Sequence, residues 1–140
     1  MDGNWDFLLS KMPGLKNITI ENQETMIVSS QLFQNTKNIE HIKIRNISTL
    51  TFQRFPYLKK LKILDLSSNI RRIPYNVFEK LINLEDLDLS RNELKKLPNL
   101  EFNQNLRNLN LGFNKIKILP QISPLQKLKT LILSHNNINT

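Results

Sequence analysis

Six times along the chain, apolar and polar residues fall into the same short phrase. From Leu84 it reads L-E-D-L-D-L-S-R-N-E-L-K-K-L-P, from Leu106 L-R-N-L-N-L-G-F-N-K-I-K-I-L-P, and from Leu128 L-K-T-L-I-L-S-H-N-N-I. Leu61 opens L-K-I-L-D-L-S-S-N-I-R-R-I-P, and weaker copies open at Ile39 and Leu15. The starts at 15, 39, 61, 84, 106 and 128 are 24, 22, 23, 22 and 22 residues apart. Strict alternation of apolar and polar residues within L-x-x-L-x-L predicts a short strand with one buried face. Leu84, Leu87 and Leu89 are expected to point inward, and Asp86, Asp88 and Ser90 outward. A fixed period of this length stacks each strand in parallel beside the last, because one copy alone cannot bury its apolar face.

The positions after each strand carry their own signals. Asn69, Asn92, Asn114 and Asn136 recur at spacings of 23, 22 and 22. A carboxamide both donates and accepts, so a stack of them serves main-chain groups freed where each strand turns. These four are read as a structural asparagine ladder. The three early copies are imperfect. Gln23 stands where the first should carry Asn, the copy from Ile39 is two residues short before Leu50, and that from Leu61 is one short before Ile73. Asn46 is placed at or next to a ladder position, in the turn. Ile73-Pro74, Leu97-Pro98 and Leu119-Pro120 set proline where the chain must leave the sheet. Phe33, Phe55 and Phe78 each precede the next start by six residues and are assigned to the outer core. The last two complete copies lack that Phe, so extended or single-turn structure is expected on their outer sides.

The phrase L-x-x-L-x-L-x-x-N-x-L resembles the leucine-rich repeat family, over roughly residues 12–140. The resemblance implies an α/β horseshoe: a right-handed solenoid with a short-stranded parallel sheet on the concave face and a mostly irregular or 3-10 convex side. The predicted organisation is a single domain, 1–140, with residues 1–14 a partial preceding repeat or makeshift cap and no C-terminal cap. The stretch Pro74 to Leu81, P-x-x-x-F-x-x-L, is similar to extracellular members such as Toll-like receptors and insect immune repeat proteins. The closing copies look nearer to cytosolic scaffold members. Both ends read as cut, and the chain as a piece of a longer array.

Composition narrows the chemistry. Of the 140 residues, 40 are Leu or Ile, 19 are Asn and none is Ala, which disfavours a helical bundle. No cysteine is present, which removes disulfides, thiol nucleophiles and Cys-based metal sites. Three glycines leave little for a phosphate-cradling loop. His41 and His135 are four repeats apart and cannot share a metal or an acid–base pair. No catalytic residues, cofactor, metal or small-molecule substrate is therefore assigned, and no membrane-inserting segment.

The outward strand positions define the candidate partner face: His41, Lys43 and Arg45, basic; Ile63, Asp65, Asp86, Asp88 and Ser90, acidic with one apolar residue. Lys43 and Asp65 are expected to pair partly across neighbouring strands. Such an extended polar surface suits a protein ligand or co-receptor. The formal charge of +8 is placed mainly on the edges. Arg71-Arg72, Lys95-Lys96 and Lys115/Lys117 form one stripe, with Lys59-Lys60 and Lys127/Lys129 opposite. An anionic glycan or nucleic acid is the alternative ligand there, although no aromatic residues are expected to interleave with these stripes for base stacking. Asn17 and Asn46 head N-x-S/T sequons and are candidate glycosylation sites. The functional expectation is non-catalytic recognition in an extracellular receptor, adhesion or innate-immune glycoprotein. An intracellular scaffold or regulatory subunit, with cytoplasmic location, is the runner-up.

Overall fold

The computed structural model describes residues 4–68, 70–119 and 121–139; Asn69 and Pro120 lie outside them. A short helix, α1 (Trp5–Ser10), is followed by β1 (Asn17–Val28), β2 (His41–Phe52), β3 (Ile63–Asp65), β4 (Asp86–Asp88), β5 (Asn108–Asn110) and β6 (Thr130–Ile132). The six strands make one parallel sheet in sequence order, as expected for a solenoid horseshoe. Register is uniform: Ile18, Ile42, Leu64, Leu87, Leu109 and Leu131 lie side by side across it. A one-residue slip would turn every one of these apolar side chains to solvent, so the alternation itself locks the register.

Each coil begins with the same hydrogen-bonded turn. The amides of Leu15, Ile39, Leu61, Leu84, Leu106 and Leu128 donate to the carbonyl three residues back, at 3.0–3.2 Å. The next carbonyl, from Lys16 through Arg107, then accepts two amides from the following coil. Backbone groups that a tight coil would otherwise strand are satisfied by the neighbouring coil, which makes the stack the unit of stability.

The core is a row of Leu and Ile from the strands, closed on the outer side by Phe33, Phe55 and Phe78. These three rings are fully buried and run as a stack with centroids 6.2 Å apart at each step. Leu100 and Ile122 take the same slot in the last two coils, Leu100 in the core and Ile122 packed partly buried against it. The outer sides there are short single turns. At the other end, α1 is capped by the Asn4 side chain, which accepts from the Phe7 amide at 3.0 Å, and it puts Leu9 into the core.

Two features depart from the sequence reading. First, β1 and β2 are twelve residues long instead of short. Both bend at a left-handed asparagine, Asn22 (φ 58°) and Asn46 (φ 50°), and continue paired through Thr25–Val28 against Thr49–Phe52. This second stretch is rich in β-branched residues and free of proline, with Met26, Val28 and Phe52 facing the core. Later copies carry Pro74 or Pro98, which cannot donate to a ladder, and their strands stop after three residues. Second, Asn46 is exposed at its bend, and the adjacent Ile47 fills the buried slot where a ladder asparagine stands in later coils.

Candidate functional site: the concave face and its flanks

Beneath the strands lies a column of asparagines that hydrogen-bond the main chain of neighbouring coils. Asn92 is almost fully buried and makes four hydrogen bonds. Its Oδ1 accepts from the amides of Ser68 (3.0 Å) and Ile70 (2.8 Å), and its Nδ2 donates to the carbonyls of Leu66 (3.0 Å) and Leu89 (2.8 Å). Asn114 and Asn136 repeat the pattern one and two coils on, accepting from Leu94 and Ile116 and donating to Leu89 and Leu111 respectively. Where Ile47 replaces the amide, the Ser68 hydroxyl donates to the Ile44 carbonyl instead (3.0 Å).

The acidic row on the face has a local structural role that spacing did not reveal. Asp65, Asp88 and Asn110 each accept from the amide two residues on, those of Ser67 (3.2 Å), Ser90 (2.8 Å) and Gly112 (3.1 Å). Each short side chain caps the end of its own strand. Across strands, Asp86 accepts from the Asn108 amide group and Asp88 from that of Asn110 (3.3 Å).

Asp65 differs from its neighbours in being only 4% exposed. It was expected to stand in solvent and to pair with Lys43. The register does set Lys43 opposite Asp65, yet the carboxylate is held by Arg45, through Nε at 2.9 Å and through the terminal guanidinium nitrogen. Ser67 supplies two further donors. Burial pushes the Asp65 carboxyl up, but Arg45 and Ser67 outweigh it and hold the group below the ordinary carboxylate range. Ser90 is likewise nearly buried instead of presented to a partner. Of the remaining predicted contact residues, His41, Lys43, Ile63, Asp86 and Asp88 are half-buried on the face. Lys43, Ile63, Asp86 and Asp88 line, with Ile132, a shallow depression of ≈ 330 Å³.

The edges are less uniformly basic than the count implied. Lys16, Glu40, Lys62, Glu85 and Arg107 occupy one column, with Glu40 3.9 Å from Lys16 and Glu85 3.7 Å from both Lys62 and Arg107. Beside it, Asn38, Lys60, Asn83, Asn105 and Lys127 form a second polar column. Their side chains reach the preceding coil at 2.6–3.3 Å. On the other edge Glu93 sits between Arg71 and Lys115, and its hydrogen bond to Lys115 leads in lowering its pKa. Left-handed residues 91, 113 and 135 create an exposed stack on that edge. The Arg91 guanidinium lies 4.9 Å from the Phe113 ring, and His135 stacks on Phe113 at 4.1 Å. Phe113 stands at the variable position just before the ladder Asn114, a signal the partner-face assignment left unused, and its backbone is left-handed at φ 58°. Among the described residues no group of three or more His, Asp or Glu side chains is placed to hold a metal ion, and no helix is long and apolar enough to cross a membrane.

The family description "BspA type Leucine rich repeat region" matches residues 6–110 in six copies. The chain belongs to the leucine-rich repeat family. A second leucine-rich repeat description matches residues 125–140. No curated protein matches this leucine-rich repeat chain. Among solved structures, the TLR13–ssRNA13 complex is similar with a TM-score of 0.71 and 26% identity, over 89% of this chain and 18% of that one. The Drosophila Toll–Spatzle complex has a TM-score of 0.71 and 21% identity, over 94% of this chain and 22% of that one. The second likeness is one of fold. The chain spans about a fifth of the length of either solved chain.

Proposed function

We propose that the chain is a six-repeat recognition segment, 1–140, of a longer extracellular protein, and that it holds a protein partner on its concave face. The observation that carries this reading is the depression where Ile63 and Ile132 lie exposed or half-buried between Lys43 on one side and Asp86 and Asp88 on the other. Apolar contact at the centre supplies affinity, and a rim of both charge signs steers and orients a partner of mixed charge. The Arg45–Asp65 pair acts as the rigid frame of that rim. Helix α1 serves as a cap on the first coil.

The TLR13 and Toll structures are complexes with an RNA and a protein ligand respectively, which supports recognition as the common use of this fold. The exposed sequons at Asn17 and Asn46 support a secretory setting for an innate-immune or adhesion role. The test is a ligand capture from extracellular fluid followed by titration of variants. Ile63→Asp is expected to abolish capture with an unchanged melting profile. Capture that survives Ile63→Asp but is lost on neutralising Lys95 and Lys96 would overturn the concave-face reading and move the site to the basic edge.

A further inference from the structure

A groove lined by exposed apolar residues lies away from the concave face, on the flank where the fourth and fifth coils return. Ile118 is 78% exposed, Leu119 59% and Tyr75 68%. Together they line a groove of ≈ 670 Å³, twice the volume of the concave depression. The outer Phe series ends at Phe78, and the smaller Leu100 and Ile122 follow it in the next two coils. Exposed apolar side chains gathered along one groove mark an interaction surface.

Its charge says what kind. Lys95, Lys96 and Lys117 line the same groove, all exposed. None takes part in the ion pairs among the described residues, whereas Glu93 next to them is already shared by Arg71 and Lys115. The one acid on the rim is Glu101. We propose that this groove is a second docking site, independent of the concave face, for a short acidic peptide segment that carries apolar side chains. A plain polyanion has nothing to set on Ile118 and Leu119, and a purely apolar ligand leaves three ammonium groups without counter-charge. A segment that intersperses Leu or Phe among Asp and Glu satisfies both. Lysines bind it as point charges along an extended chain and do not demand a fixed fork geometry.

The probe is a fluorescein-labelled octapeptide, D-L-E-D-F-E-L-D, titrated against the 140-residue chain by fluorescence anisotropy. Two control peptides replace the acids by Lys or the apolar residues by Ser. The acidic–apolar peptide is expected to bind, with each control weaker by on the order of tenfold, about 1.4 kcal/mol. Ile118→Asp and the pair Lys95→Glu/Lys96→Glu should each cost a similar factor. Ile118 is largely in solvent, so melting should not change. Ile63→Asp should leave this binding intact, which separates failure here from failure of the concave-face reading. Equal binding of the Ser-substituted peptide or of a heparin oligosaccharide would overturn the proposal in favour of a polyanion site. Self-association lost in Ile118→Asp, or no peptide binding at millimolar protein, would overturn it as well.

Discussion

Arg45 reaches diagonally from β2 to Asp65 on β3, although the sheet sets Lys43 directly opposite that carboxylate. The two basic residues of β2 thus have different roles. Arg45 is tied to a nearly buried acid, and Lys43 is left to the solvent-facing rim. Removing one member of such a pair leaves the other charge poorly solvated. Arg45→Ala is expected to destabilise by about 1–3 kcal/mol, and Lys43→Ala by less than about 0.5. Chemical denaturation of the two variants side by side checks the contrast.

The same pair sets a pH dependence. Asp65 titrates below its ordinary value when folded, so the unfolded chain binds the proton more readily. The stabilisation is full above the unfolded carboxylate pKa, about 4, and is lost as pH falls through the lower folded value. Melting temperature should drop on acidification over that window, and Asp65→Asn should flatten the drop. Glu93, also lowered, acts in the same direction from the surface.

Asn92 and Asn103 are both buried and should behave differently. Asn92 satisfies four main-chain groups, so Asn92→Ala should cost about 3 kcal/mol or more as several bonds fail together. Asn103 is also buried, but its Nδ2 serves only the carbonyls of Phe78 and Leu81, and its Oδ1 has no partner. Leucine occupies the equivalent slot at Leu58, Leu81 and Leu125. Asn103→Leu should therefore be near neutral in thermal denaturation, since it removes an unpaired buried oxygen along with two bonds.

Phe55 is the middle ring of the outer stack, in contact with Phe33, Phe52 and Phe78. Phe55→Ala should destabilise by about 3–5 kcal/mol, and Phe55→Leu by clearly less. Leu100 already serves in that slot. Equal losses for Ala and Leu would argue against a packing role for the ring stack.

If the chain passes through a secretory host, glycan should be found at both sequons. Asn17 is exposed at the head of β1, and Asn46 is exposed at its left-handed bend, with Thr19 and Ser48 exposed beside them. Peptide mapping that found both bare would remove this support for an extracellular setting.

The sequence by itself determined the period, the inward apolar row and the outer phenylalanines, because each is a one-dimensional pattern that survives any choice of side-chain partner. Leu87 beside Leu64 and Leu109, or Phe55 between Phe33 and Phe78, follows from spacing alone once the coils stack. Asn69, the first expected rung of the ladder, lies outside the described residues. What only the tertiary structure decided depends on direction and reach. A guanidinium long enough to cross to Asp65 withdrew that acid from the surface. The Phe113 ring met Arg91 and His135 across neighbouring coils. Continued pairing between Thr25–Val28 and Thr49–Phe52 lengthened two strands that the repeat phrase had left short. None of these is encoded in a repeat, because each rests on a backbone angle or a contact between residues some twenty positions apart.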